Sequence, residues 1–304
     1  MPTLPEAAPL PHWFYLDIGN LCNLKCPYCP TGNGQVKRSD KGLMSRENFD
    51  IIVEKISPYA EFVGLYNWGE PFLNRSLLHM ASSLAQRGVT THIDSNLSLR
   101  DFSDREAEDI VSSGLSSIFA SIDGVSQEAY EKYRVEGRVD RALNNLRQLV
   151  AAKKRLGSDK PGLLWAFYLN RHNEHEVDRA RAVAEEIGVE IWFKQLSCPD
   201  EFQTSLVNDP SLFAAPASMS SMHWPQVNRK LPEFQLHSTL SPICRQPFTI
   251  CVINWDGRVS PCCAVAGPEF SVGSLLDHDF EEVWNGEMMR SCRKFLADFG
   301  PVQG

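Results

Sequence analysis

The chain has 304 residues, of which 43% are hydrophobic and 22% charged, a composition that is ordinary for a globular protein. Its net charge of −8 argues against a nucleic-acid-binding surface, because phosphate binding requires an excess of Lys and Arg. We find no apolar run of membrane-spanning length and no signal-peptide pattern, so we expect a cytoplasmic protein without nucleic-acid or membrane partners. The chain has nine cysteines. In the reducing cytoplasm, those that cluster in the sequence are better explained as metal ligands than as disulfides.

Short apolar segments alternate with amphipathic helical segments from residue 13 to residue 195. The predicted strands are 13–18, 62–66, 89–93, 117–122, 163–169 and 190–194. The predicted helices are 46–56 after the cap Ser45, one between the cap Asn74 and Gly88, 104–113, two within 127–156, and 174–187. This alternation predicts an α/β fold with a parallel sheet, whose ligands gather at the carboxyl ends of the strands.

Three cysteines follow the first predicted strand within eight residues, as Cys22, Cys26 and Cys29 in a CxxxCxxC pattern. Three thiolates at this spacing are suited to three irons of a 4Fe–4S cluster, since soft sulfur ligands select iron–sulfur clusters, zinc or cuprous copper. The fourth iron then stays open for a substrate or cofactor. The alternatives are a zinc site that lacks one ligand and three buried cysteines without a metal.

This CxxxCxxC motif, with the aromatic Tyr28 before its third cysteine, resembles the signature of the radical S-adenosylmethionine (SAM) superfamily. The resemblance implies a partial (β/α)6 barrel in which the open iron of the cluster binds SAM. It also implies that an electron from a donor such as flavodoxin or ferredoxin cleaves SAM to a 5′-deoxyadenosyl radical, which abstracts a substrate hydrogen atom.

Polar motifs follow the predicted strands where the resemblance places SAM. The segment Gly69-Glu70-Pro71 is similar to the GGEP motif of the family, although Trp68 replaces its first glycine. The later strand ends offer further candidate contacts of SAM, which are Ser95, Asn96, Ser121, Asp123 and Asn170, with Arg134 as a candidate partner of the SAM carboxylate.

The last 61 residues contain five cysteines around a predicted hairpin with Asp256-Gly257 at its turn. They resemble the SPASM/twitch extensions of radical SAM enzymes, which hold auxiliary 4Fe–4S clusters, and five thiols suffice for one cluster. Its predicted ligands are Cys244, Cys262 and Cys292, with either Cys251 or Cys263 as the fourth. We therefore divide the chain into an N-terminal arm (1–12), a radical SAM core (13–196), an irregular linker or cover (197–243) and a twitch-like α+β extension (244–304).

One thiol of the extension is left over, and it suggests a reaction. A thiol can return a hydrogen atom to a carbon radical on the face opposite to abstraction, which inverts that carbon. This logic resembles the radical SAM epimerases of aminoglycoside antibiotics of the neomycin C type, so our hypothesis is an epimerase of a cationic aminosugar with Cys251 as the hydrogen donor. The alternatives are a radical SAM dehydrogenase of a sugar or aminocyclitol alcohol, a maturase of a ribosomally made peptide, and a non-catalytic iron–sulfur sensor or zinc module.

Overall fold

One continuous sheet organises the described part of this computed structural model, which comprises residues 7–216, 218–221 and 246–299. Its strands are β1 (Trp13–Leu16), β2 (Phe62–Gly64), β3 (Thr90–Ser95), β4 (Ser117–Ser121), β5 (Gly162–Leu169), β6 (Glu190–Gln195), β7 (Ile250–Ile253), β8 (Arg258–Ser260) and β9 (Gly273–Ser274). The helices are α1 (Arg46–Ile56), α2 (Leu77–Gln86), α3 (Asp104–Val111), α4 (Gln127–Glu131), α5 (Val139–Leu156), α6 (Val177–Ile187), α7 (Ser218–Ser221), α8 (Gln246–Thr249), α9 (Phe280–Trp284) and α10 (Glu287–Phe299).

The strand order is β6-β5-β4-β3-β2-β1-β7-β8-β9, and β1 to β6 are parallel to their neighbours. The predicted α/β fold with a parallel sheet and a partial barrel is confirmed. The predicted hairpin of the extension forms as the antiparallel pair β7–β8. What the sequence pattern did not predict is that β7 pairs in parallel with β1, from Trp13 opposite Ile250 to Leu16 opposite Ile253, so that the extension prolongs the sheet of the core.

Local signals set the helix ends. The Ser45 hydroxyl accepts a hydrogen bond from Asn48 N at 3.1 Å and begins α1 as predicted. The prediction that Asn74 caps the next helix is wrong, because α2 begins only at Leu77. The Asn74 amide instead donates to Ile18 O at 2.8 Å and to Met44 O at 3.0 Å, so this side chain fixes the loops around the end of β1.

Alternate residues of each strand point to opposite faces of the sheet. One face packs against the helices in the main core, which contains Phe14, Leu16 and Cys251. The other face lines the inside of the partial barrel, which we call the lumen. Near the amino ends of β1, β2 and β7, the lumen is filled by a cluster of Trp13, Phe62, Ile250 and Val252, with Tyr15 and Cys263 packed against it.

None of the helices in the described ranges is long and apolar enough to cross a membrane.

Asn145 holds the loop that follows β3, and we predict that its loss destabilises the fold. Its buried amide donates to Leu97 O at 2.8 Å and to Arg100 O at 2.7 Å, and it accepts from Phe102 N at 2.8 Å. Asn145→Ala leaves these buried groups unsatisfied and should lower the free energy of unfolding by about 2–4 kcal/mol. The exposed neighbour Asn144 on α5 gives the control Asn144→Ala. Urea denaturation followed by circular dichroism measures both variants, and equal losses would contradict the prediction.

Candidate active site

The first three cysteines lie on the loop that follows β1, where Cys26 is buried and Cys22 and Cys29 are half-buried. The Cys22 sulfur accepts hydrogen bonds from Leu24 N at 3.4 Å and from Asn96 Nδ2 at 3.9 Å. Burial raises the pKa of Cys22 to about 12. A thiolate at this position therefore needs nearby positive charge, which a bound metal centre supplies.

The donor set of this loop is three thiols, which is what the radical SAM resemblance requires of a cluster loop. Among the described residues, no three His, Cys, Asp or Glu side chains converge on the position that one metal ion would occupy. The cysteines of a 4Fe–4S cluster bind different irons, so their sulfurs stand farther apart than the ligands of one zinc ion. Cys22, Cys26 and Cys29, with an N–H and an amide directed at sulfur, fit the three-thiolate side of such a cluster.

Glu70 joins the motif after β2 to the polar turn after β3. Its carboxylate is 3% exposed and accepts hydrogen bonds from Ser95 Oγ at 2.7 Å, Phe72 N at 3.1 Å and Asn96 N at 2.9 Å. Burial raises the pKa of Glu70, and these donors oppose that rise. Three of the predicted SAM-site residues, Glu70, Ser95 and Asn96, are thus brought together beside Cys22.

The glycine of this motif allows a close approach of two loops. A Cβ on Gly69 would overlap the carbonyl oxygen of Gly19 and come within 2.8 Å of Leu21 O. Pro71 begins the short 3₁₀ turn that follows. Trp68, which stands where the family has a glycine, donates from its indole to Val265 O at 3.2 Å and so connects the motif to the extension.

A buried ion pair lies at the end of β4. Arg134 Nε is 2.5 Å from Asp123 Oδ2, and Tyr168 N donates to Asp123 Oδ1 at 2.7 Å. Burial raises the pKa of Cys26, whereas the nearby Arg134 cation lowers it. Arg134 therefore connects the strand end to the cluster loop, and its pairing with the SAM carboxylate stays a prediction.

The remaining predicted SAM contacts lie around the same carboxyl edge. Tyr28 packs on Tyr133 and Phe202, with ring centroids 6.3 and 5.0 Å apart. Ser121 is the buried last residue of β4. Asn170 is fully buried, and its side chain accepts from His172 N at 2.9 Å, which shapes the turn after β5.

The expectation that Cys251 faces the barrel mouth is wrong. Cys251 lies opposite Phe14 in the β1–β7 pairing, and both point to the helix-covered face. Its side chain is fully buried. Burial raises the pKa of Cys251, and the Arg293 cation on α10 opposes only part of that rise. A residue on this face does not reach the lumen, because the sheet lies between them.

The other late cysteines separate into two environments. Burial is the main cause of the raised pKa of Cys292, the Arg293 cation lowers it, and Cys262 raises it further. Cys263 instead packs against the lumen cluster. It contributes to the raised pKa of Tyr15, for which burial is again the main cause. Its backbone N donates to Gln246 Oε1 at 3.3 Å, and its Sγ lies 3.1 Å from the same oxygen. The predicted ligand Cys244 lies outside the described residues.

Several lumen residues lie outside the sequence motifs. They are Tyr15, Tyr66, His92 and Tyr168, which stand on strands or within two residues of a strand end at lumen-facing positions. His92 Nε2 is 2.7 Å from Asp94 Oδ1, and the Lys194 ammonium lies 4.7 Å from the centre of the Tyr168 ring. Marking alternate residues in each predicted strand would have selected them.

Comparison with known families agrees with this geometry. The family description "Radical SAM superfamily" matches residues 16–182, and "Iron-sulfur cluster-binding domain" (SPASM) matches residues 244–301. The first match covers more than half of the chain, which therefore belongs to the radical SAM superfamily and carries a SPASM domain. Membership implies SAM and a 4Fe–4S cluster as cofactors, and the SPASM domain implies auxiliary iron–sulfur binding.

Individual relatives are distant. The chain is 21% identical to the tungsten-containing aldehyde ferredoxin oxidoreductase cofactor-modifying protein of Pyrococcus furiosus, across 90% of this chain and 81% of that protein. Its fold is similar to BtrN in complex with AdoMet and 2-DOIA (13% identity, TM-score 0.57, 96% of this chain and 89% of that one). It is also similar to Streptococcus suis SuiB bound to S-adenosylmethionine (14% identity, TM-score 0.70, 93% and 68%).

We predict that Gly69→Ala weakens SAM binding at least about tenfold, or about 1.4 kcal/mol. The added Cβ collides with backbone of the cluster loop, so the Glu70 motif must move away from it. Gly34→Asn is the control. Gly34 lies in the cluster loop between β1 and α1, it has open space around it, and asparagine tolerates its positive φ. Equilibrium dialysis of SAM against the reconstituted protein measures both, and equal affinities would contradict the prediction.

Proposed function

We propose that this protein is a radical SAM epimerase that inverts one carbon of a cationic aminosugar, with Cys263 as the hydrogen-atom donor. The proposal keeps the reaction inferred from the sequence and changes the donor. Its electron donor would be a flavodoxin or ferredoxin. The acidic chain, with net charge −8, suits a polycationic substrate.

The position of Cys263 carries the proposal. It packs against the cluster that contains Trp13, Phe62 and Ile250, the first residues of their strands, whereas the Cys22–Cys29 loop follows the carboxyl end of β1. A substrate held in the lumen between them would meet SAM at one face and Cys263 at the other. Inversion requires this arrangement, because hydrogen must leave from one face and return to the opposite one.

When bound, SAM and its cluster supply the hydrogen-abstracting 5′-deoxyadenosyl radical, and the auxiliary cluster supplies an electron. Cys263 then gives its S–H hydrogen atom to the substrate carbon radical: the S–H bond breaks, a C–H bond forms, and a thiyl radical remains. The transfer is downhill because an S–H bond is weaker than most C–H bonds. One electron and one proton then restore the thiol.

A radical SAM dehydrogenase is the second candidate, and the number of thiols favours it. With Cys251 behind the sheet, an auxiliary cluster with four cysteine ligands would need Cys263 beside Cys244, Cys262 and Cys292. Cys263 would then have no hydrogen atom to give, and the substrate would be oxidised. Maturation of a peptide is a further candidate, since SuiB has also been solved bound to precursor peptide SuiA.

Turnover in deuterated water distinguishes these reactions. A thiol exchanges its hydrogen with solvent, so the epimerase should place one deuterium at the inverted carbon of an aminoglycoside substrate, detected by mass spectrometry and NMR. Cys263→Ala should abolish inversion while 5′-deoxyadenosine still forms and the iron content stays unchanged. Cys251→Ala is the matched control and should still invert the substrate, because Cys251 lies on the helix-covered face.

Three results would contradict the proposal. Product without deuterium rejects the epimerase, and inversion by Cys263→Ala removes Cys263 as the donor. If Cys263→Ala instead loses one cluster's iron, Cys263 is a ligand and the dehydrogenase is favoured.

A further inference from the structure

Polar and aromatic side chains line the lumen between the Cys22–Cys29 loop and Cys263. They retain accessible surface although most of their strand neighbours are buried, which indicates an open space inside the barrel. We call this set the lumen pocket, and it consists of Tyr15, Tyr66, Asp94, Tyr168, Trp192 and Lys194.

Asp94 is fixed in orientation by a buried histidine. His92 is fully buried, with Nε2 2.7 Å from Asp94 Oδ1 and Nδ1 2.8 Å from Ser117 Oγ. A carboxylate only accepts hydrogen bonds, so Nε2 carries the proton that faces Asp94, and Nδ1 faces the Ser117 hydroxyl. Both nitrogens are then satisfied, and one carboxylate oxygen of Asp94 is held in place.

The second oxygen of Asp94 is available to a ligand. Within the ranges that the structure describes, Oδ2 has no hydrogen-bond partner, and the side chain is 21% exposed. The adjacent Ser95 points away and donates to Glu70, so alternation along β3 separates the SAM motif from the lumen. Asp94 thus presents an oriented negative charge to the lumen.

A positive charge lies on another strand of the pocket. The Lys194 ammonium is 4.7 Å from the Tyr168 ring centre and 4.8 Å from that of Trp192. The pKa of Lys194 is raised: burial disfavours its charge, but Tyr168, Asp94 and Asp123 outweigh that effect. A substrate cation is therefore directed to Asp94 and repelled by Lys194, which is suited to donate to substrate hydroxyls.

We infer that Asp94 binds an ammonium group of the substrate and that His92 positions Asp94 for this contact; the assignment of an aminosugar rests on the proposed function. The Tyr15 and Tyr66 rings lie 5.5 Å apart and offer hydroxyls and apolar faces. A ring with an ammonium group, several hydroxyls and apolar C–H faces matches these partners. A lysine-containing peptide is the competing ligand class.

Neomycin serves as the test probe, with fully N-acetylated neomycin as its uncharged counterpart. The KM is obtained from the dependence of 5′-deoxyadenosine release on probe concentration in the reconstituted enzyme. Asp94→Asn should raise the KM for neomycin about 10- to 100-fold, as expected for loss of a charge-assisted hydrogen bond, and change that for the acetylated probe little. Asp109→Asn, an exposed position on α3, should match the parent protein.

The positioning role of His92 has its own readout. His92→Gln should raise the KM for neomycin in the parent protein but add nothing in the Asp94→Asn background, since it acts only through Asp94. An independent general loss of folding would instead add to the effect of Asp94→Asn.

Three results would overturn the inference. They are an equal effect of Asp94→Asn on both probes, no stimulation of SAM cleavage by neomycin, and stimulation only by a lysine-containing tripeptide. The deuterium experiment remains separate: product without deuterium together with an Asp94-dependent KM would reject the epimerase and keep the ammonium site.

Discussion

The pairing of β7 with β1 is the constraint on which the arrangement of the site depends. It places Trp13 opposite Ile250 and Leu16 opposite Ile253, and it makes the SPASM extension part of the core sheet. Side chains alternate between faces, so a slip of one residue would exchange Cys251 and Val252 between the core and the lumen. The register therefore decides which sulfur of the extension lies near substrate space.

Two buried carboxylates hold the carboxyl edge together in different ways. Glu70 is stabilised by two backbone N–H groups and the Ser95 hydroxyl, whereas Asp123 has Arg134 as its charged partner. Burial raises the pKa of both carboxylates, and these donors favour the ionised forms. A buried polar network that is satisfied in this way is rigid, so the cluster loop is connected firmly to the strand ends.

The sequence predicts local structure and motifs better than it predicts long-range pairing. The spacing of Cys22, Cys26 and Cys29 and the alternation of strands with helices suffice for the family and the α/β fold. The β1–β7 pairing joins segments separated by more than 200 residues and has no local signal. That pairing decides which face of the sheet the Cys251 side chain points to, which explains why the expectation that it faces the barrel mouth was wrong. The prediction that Asn74 caps a helix failed for a related reason, because its hydrogen bonds to Ile18 and Met44 outweigh its capping preference.

Position in the fold separates the two thiols that compete for the role of hydrogen donor. Cys251 is directed to the helices because it shares a face with Phe14. Beyond β8 the chain turns, and Cys263 packs against the lumen cluster together with Tyr15. Tyr15 is also one of the lumen-pocket residues, as is Asp94, so the proposed donor and the proposed ammonium site border the same space. Direction in the fold, rather than any difference in sulfur chemistry, is thus what supports separate roles for a cluster ligand and a hydrogen donor.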